Sequence, residues 1–285
     1  MKWIFLRLVV VVVLVSVPLL GEECTTAEEC YTAAVALYSE GKYEEAIPYL
    51  ENAVLLDSNH LDATVLLGNI LYDLERFDEA LVYYEKAVHI QPEEEYHWYY
   101  VGLTQNMLQR PEEALVNLEK ALELNQRFKC AWYEKGFSFM LLQKYDEAVE
   151  CYQKAVEVDP SDPWMHFLTG DALSRIQRYE DAVKSFDAAL SFNEEFVEAW
   201  SERGYSLMQL GQYEEALASI EKALELDPEN EQALLYKEEI EEKMGVPEVT
   251  VEPEEPVEEP EEEEEASVTV LAVLLGFFLI LFKKR

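Results

Sequence analysis

The sequence predicts an all-α fold, a solenoid of six helix–turn–helix repeats closed by one further helix, and three observations carry that expectation. First, the stretch Gly211 to Pro228 recurs upstream in steps of 34 residues with no insertion or deletion. Tyr213, Ala216 and Ala223 have counterparts at Tyr179, Ala182 and Ala189; at Tyr145, Ala148 and Ala155; at Pro111, Ala114 and Ala121; at Phe77, Ala80 and Ala87; and at Tyr43, Ala46 and Ala53. A period this regular marks a stacked repeat architecture. Second, each period holds two apolar stripes at helical spacing, such as Trp132, Lys135, Gly136 and Phe139, then Ala148, Tyr152 and Ala155. Gln143 to Tyr145 turn the chain between them, and Pro160 ends the second. Third, small residues stand at the eighth position of every repeat: Ala34, Gly68, Gly102, Gly136, Gly170 and Gly204. Together with the alanines at positions twenty and twenty-seven, they let the paired helices approach closely. Large rings at the fourth and seventeenth positions then fill the wedge between neighbouring pairs. One pair cannot bury its apolar face alone, so stacking is obligatory.

Taken in order, residues 1–21 carry Lys2 and Arg7 ahead of an uncharged run, Leu8 to Leu20. That is the layout of a signal peptide; because Leu19-Leu20-Gly21 is a poor cleavage site, an uncleaved signal-anchor is the alternative. The folded region is expected over 22–245, with repeats at 27–60, 61–94, 95–128, 129–162, 163–196 and 197–230 and a capping helix at 231–244. Leu234, Leu235 and Ile240 are expected to cover the last repeat, and Gly245 and Pro247 to close the helix. Pro48, inside a second helix, should loosen or bend it. Residues 246–265 alternate Glu and Pro and cannot bury a core, so they read as a disordered acidic stalk. Residues 266–282 are free of charge and just long enough to span a bilayer. Lys283, Lys284 and Arg285 follow as a basic cytoplasmic end. Both basic ends favour the inner face, which places the repeats outside the cell membrane, tethered by one C-terminal span.

These residues resemble the tetratricopeptide repeat, whose pattern of Trp, Gly, Tyr, Ala, Ala and Pro is fullest in Trp200, Gly204, Tyr213, Ala216, Ala223 and Pro228. The resemblance covers all six repeats and implies a right-handed α-solenoid. Departures are Cys30 and Ala34 in repeat one, Pro111 in repeat three and His166 in repeat five. The tail resembles the tripartite anchors of prokaryotic surface proteins, without an evident sorting motif before the apolar segment.

The formal net charge is −37, and only eleven of those negative charges lie between Glu248 and Glu265. The repeats themselves are acidic, which excludes nucleic acid as an expected partner. Of four cysteines, Cys130 and Cys151 lie on the two antiparallel helices of one repeat, about 10 Å out of step and too far apart to bridge. Cys24 and Cys30 are close enough to pair in an oxidising compartment or remain thiols. His60, His89, His97 and His166 share no metal-ligand spacing. Carboxylate pairs such as Glu44-Glu45 and Glu214-Glu215 open every second helix, where they favour the helix dipole. No phosphate loop or nucleophile motif occurs. The chain is therefore expected to be non-enzymatic, with no cofactor and no small-molecule substrate.

Function is expected on the concave face that the resemblance implies, lined by positions two, five, nine and twelve of each first helix. The candidate residues are Tyr31, Tyr38, Asn69, Tyr72, Tyr96, Tyr99, Leu103, Asn106, Tyr133, Phe137, Met140, Trp164, Phe167 and Tyr205. The centre, Tyr96 to Phe167, is aromatic and apolar, which suits a protein or peptide ligand. The competing expectation is that several of these rings pack on one another between repeats. Some tetratricopeptide proteins hold chaperone C-termini with a clamp of Lys, Arg and Asn. Here only Asn69 and Asn106 match it, and Arg175 is the nearest cation. An interaction scaffold is the leading reading, and a self-associating spacer of the cell envelope is its rival.

Overall fold

A computed structural model describes residues 24–245, so the expected signal segment, stalk, membrane span and basic end lie outside the described residues. The described chain is all helix, thirteen helices with no strand among the described residues. They are α1 (Ala27–Ser39), α2 (Tyr43–Leu56), α3 (Leu61–Asp73), α4 (Phe77–Ile90), α5 (Glu95–Met107), α6 (Pro111–Leu124), α7 (Lys129–Leu141), α8 (Tyr145–Val158), α9 (Pro163–Arg175), α10 (Tyr179–Phe192), α11 (Val197–Gln209), α12 (Tyr213–Leu226) and α13 (Glu231–Met244). Each helix packs chiefly on its neighbours in sequence, which makes an all-α repeat solenoid. Among the described residues, no helix is long and apolar enough to cross a membrane.

The close approach within each pair has a specific cause. A Cβ on Gly136 would sit 2.5 Å from Tyr152 Cε1, one on Gly170 2.6 Å from Phe186 Cε1, and one on Gly204 2.6 Å from Ile220 Cδ1. Each partner lies sixteen residues downstream, on the facing second helix. The twelve alanines at positions twenty and twenty-seven, Ala46 to Ala223, are all wholly buried. Tyr84, Tyr152 and Phe186 are among the largest fully buried side chains, each worth about 1.5–3 kcal/mol of burial free energy.

The turns repeat as strictly. After each first helix, one residue adopts the left-handed conformation: Gly41, Glu75, Gln109, Gln143, Gln177 and Gly211, with φ between 58° and 77°. In the fourth repeat the Gln143 N–H donates to the Met140 carbonyl and the Lys144 N–H to Phe139, which satisfies two carbonyls the helix would leave bare. Four of the six positions hold a side chain where glycine is less strained.

In every repeat but the second, position four is tied to the residue six places before it. The indole N–H donates to that carbonyl in three repeats: Trp98 to Pro92, Trp132 to Gln126 and Trp200 to Glu194. His166 replaces tryptophan yet keeps the bond, its Nε2 lying 2.9 Å from the Pro160 carbonyl, which requires the Nε2–H tautomer. In repeat one, Cys30 makes the same connection covalently: it forms a disulfide with Cys24, the pairing the sequence left open. Cys130 and Cys151 are free, as their spacing requires. Thr26 and Glu29 form a capping box beside the disulfide.

Two expectations need correction or refinement. Leu234 and Leu235 do not cover the last repeat: they are 43% and 60% exposed. Ala233, Tyr236 and Ile240 make that contact instead, and Gly245 ends α13 at φ 69°. Helix α2 runs through Pro48 without interruption. That proline lies on the exposed side, where the lost N–H bond is cheapest to forgo.

These contacts predict two opposite substitutions. Gly136→Ala should lower the stability of the repeats by about 1–3 kcal/mol, whereas Gln143→Gly should raise it by about 0.5–1 kcal/mol by relieving the left-handed residue. Urea midpoints of the two variants check both signs.

Candidate protein-binding site

The candidate residues stand on the first helix of each repeat, and first helices of successive repeats approach one another, as α5 does α7, α9 does α11 and α11 does α13. Rows of side chains from neighbouring repeats therefore meet on that side. Tyr96 and Trp164 are the most open of the large ones, 51% and 37% exposed. Tyr31, Tyr38, Asn69, Tyr72, Tyr99, Leu103, Tyr133, Phe137, Met140, Phe167 and Tyr205 are half-buried, and Asn106 is fully buried.

Most of these rings also pack on other rings. Tyr96 and Tyr99 lean on Phe128, with centroids 4.7 and 5.0 Å away. Trp164 and Phe167 lean on Phe196 at 5.5 and 4.9 Å. Tyr31 contacts His60, Tyr38 contacts Tyr43, Tyr72 contacts Phe77, and Tyr205 contacts both Tyr179 and Tyr236. Phe137 enters no ring contact among the described residues and belongs to no core cluster. Phe128 and Phe196 did not figure among the candidates. Their signal is an apolar residue at the N-cap position before α7 and α11, where His60, Asp162 and Asn230 cap their helices with side chains.

A polar cluster lies beneath the centre of this face. The Asn106 amide donates to the Glu134 carboxylate at 2.9 Å and to the Glu134 carbonyl at 3.1 Å, and the Ser138 hydroxyl donates to the Asn106 side-chain oxygen at 2.7 Å. Asn69 accepts from the Tyr84 hydroxyl at 2.9 Å. Both asparagines thus have partners inside the fold. Arg175 pairs with Asp171 at 3.0 Å and stacks over Tyr145, so it too is engaged.

Glu134 itself was not legible as a site residue. It is only 3% exposed, and burial pushes its carboxyl up to about 7, with the Asn106 bond opposing the shift. Burial, then the Glu134 charge, hold the Tyr72, Tyr99 and Tyr133 hydroxyls above the usual phenol range. The available signal was a glutamate at the sixth helix position, where Leu66, Tyr100 and Leu168 stand in other repeats. Glu202 occupies the same position in repeat six. Its carboxyl is also pushed up to about 7, by burial and by Asp171, and it accepts from the Tyr236 hydroxyl of α13 at 3.3 Å.

A stack of helix pairs with a shared first-helix face defines a repeat scaffold, and comparison with known proteins identifies the repeat. The chain carries tetratricopeptide repeats: models of that repeat match residues 37–99, 130–162 and 197–230. Solved structures share the fold. YrrB, described as a TPR protein with an unusual peptide-binding site, is 22% identical, with a TM-score of 0.58 over 66% of this chain and 97% of its own. PilW, described as a type IV pilus biogenesis factor, is 18% identical, with a TM-score of 0.62 over 73% of this chain and 97% of its own. PilF of Pseudomonas aeruginosa is 17% identical, with a TM-score of 0.61 over 75% of this chain and 97% of its own. No curated protein matches the chain significantly. No catalytic family is indicated, and proteins built on this repeat are generally non-enzymatic scaffolds.

The buried carboxylates make stability pH-dependent. Glu134 titrates near 7 when folded against an ordinary 4.5, so the fold favours its protonated form. Stability is fully present below about pH 4.5 and falls as pH rises toward 7. Glu134→Gln should remove this component, on the order of 3 kcal/mol. Parallel denaturation curves at pH 5 and pH 8 check it, and the wild type must lose more than the variant.

Proposed function

We propose that this chain is a membrane-tethered, non-enzymatic interaction scaffold that takes a protein or peptide segment along its first-helix face. Residues 246–265 would act as the stalk and 266–282 as the span, with the repeats on the outer side of the membrane. The observation that carries the binding reading is that three successive first helices leave aromatic rings partly open, Tyr96 and Trp164 exposed and Phe137 half-buried. Partly exposed aromatics of this kind are what interface hot spots are made of. The shared fold of YrrB, described as having a peptide-binding site, agrees with this reading.

Ring packing alters the choice of probes. Tyr99 and Phe167 each support a neighbour in the stack, so truncating them would confound binding with stability. Phe137, which enters no ring contact among the described residues, is cleaner. A photocrosslinking residue at Phe137 in the full chain on intact cells should capture a discrete partner, and the same residue at Val116, exposed on α6, should not. Equal capture from Val116 would rule out binding along this face.

Self-association as an envelope spacer is the second reading, and the exposed Leu234 and Leu235 on the terminal helix favour it. Sedimentation of the repeats separates the two. A concentration-dependent oligomer lost in a Leu234→Ser, Leu235→Ser double variant supports the spacer.

A further inference from the structure

The second position of the first helices reads, from repeat one to repeat six, Glu28, Asp62, Tyr96, Cys130, Trp164 and Glu198. Equal positions in stacked repeats of equal length follow one another along the solenoid, so these six form one row on the candidate face. Contacts join its members. Glu28 lies 3.4 Å from His60, the Tyr96 ring 4.7 Å from that of Phe128, and the Trp164 ring 5.5 Å from that of Phe196. Each of those partners stands two residues before the next member of the row. The whole row reaches the surface: the three carboxylates are exposed, as are Tyr96 and Trp164, and Cys130 is half-buried. A carboxylate in the first turn of a helix favours the helix dipole, which accounts for the acids. The centre is the departure. There the chain forgoes that charge for two open rings, each seated on a ring that is itself buried. No Lys, Arg or His stands in the row, and Asp62 and Glu198 enter no ion pair among the described residues. Glu134 lies beneath the face, 3% exposed, and adds no surface charge to its centre.

We propose that a segment of a protein partner lies extended along this row, apolar at its centre and basic at both ends. Its terminal lysines or arginines meet Asp62 and Glu198, and its apolar residues cover Tyr96 and Trp164. The proposal rests on the reading of the first-helix face as the binding face. Charge and length select this partner. A charged side chain pressed on the two rings would lose water and gain no counter-charge. Basic ends meet exposed carboxylates of opposite sign, whereas acidic ends would be repelled by both. First helices about 10 Å apart put Asp62 and Glu198 about 40 Å from each other, which about twelve residues of extended chain cover.

The test titrates the full chain with three acetylated, amidated peptides, read by calorimetry. The first is Lys-Ser-Gly-Ser-Leu-Phe-Ala-Leu-Phe-Ser-Gly-Ser-Lys. The second has the same residues with both lysines moved to the centre, and the third has glutamine for each lysine of the first. The first should bind about fivefold tighter than the second, although their charge and composition are equal. Asp62→Asn combined with Glu198→Gln should remove that advantage and leave the affinity for the glutamine peptide unchanged. Both positions are exposed, and thermal unfolding checks the fold of the double variant. Equal or tighter binding of the central-lysine peptide, or an undiminished advantage in the double variant, would overturn the proposal. Phe137→Ala, on the same face but outside the row, separates the two readings. If both lysine peptides bind equally and Phe137→Ala weakens both, the face stands and the charged row falls. If none of the three peptides binds, both readings fall together.

Discussion

Five of the six helix pairs depend on one contact, a glycine at position eight opposite a large residue sixteen places on, with Ala34 in that place in the first pair. At Gly136 an added Cβ would lie 2.5 Å from the Tyr152 ring, inside any allowed separation. The glycine therefore sets how deeply the ring enters between the two helices of its pair. The rings also meet other rings: Tyr84 stacks on Tyr100 of the next repeat at 5.0 Å, while Tyr152 meets Tyr133 at 6.3 Å and Phe186 meets Phe167 at 5.8 Å within their own repeats. Tyr133 and Phe167 are themselves residues of the candidate face. The helix-pair spacing, a matter of backbone sterics, thus fixes where the face presents its rings.

Strictly periodic features in this chain have structural causes, and departures from the period mark what is particular to it. The left-handed residue after each first helix recurs in every repeat, and so does the alanine pair of each second helix. Even the substitutions preserve the plan: His166 repeats the hydrogen bond of the tryptophans, and the Cys24–Cys30 disulfide ties the same two positions in repeat one. The Asn106–Glu134–Ser138 cluster has no counterpart elsewhere among the described residues. It joins two repeats through groups that are expensive to bury, and packing of the periodic residues does not call for it.

That distinction also explains what could be read from the sequence. Fold, pairing and the close approach at position eight were legible because six copies repeat one solution, so chance agreement is excluded. Phe128 and Phe196 were not, because an apolar residue at an N-cap position means nothing until two first helices are brought together. Glu134 looked like any surface glutamate among many; its burial follows from the register between α5 and α7. Leu234 and Leu235 misled for a related reason. Their positions are only half-buried in most complete repeats, and α13 has no second helix among the described residues to cover them further.

The electrostatics of the repeats point the same way as the carboxylates at both ends of the first-helix face. Among the described residues, only Lys86, Arg127 and Lys144 stand outside the ion pairs, and many of the pairs lie three or four residues apart on one exposed helix face. Pairs of that kind contribute at most a few tenths of a kcal/mol each. Their larger effect is to leave few positive charges unneutralised while most carboxylates remain unpaired. The resulting negative field is long-ranged at low salt and falls off over roughly 8 Å at physiological ionic strength. It can gather a basic segment but cannot orient it. Orientation requires short-range features, such as the partly open rings of the first-helix face.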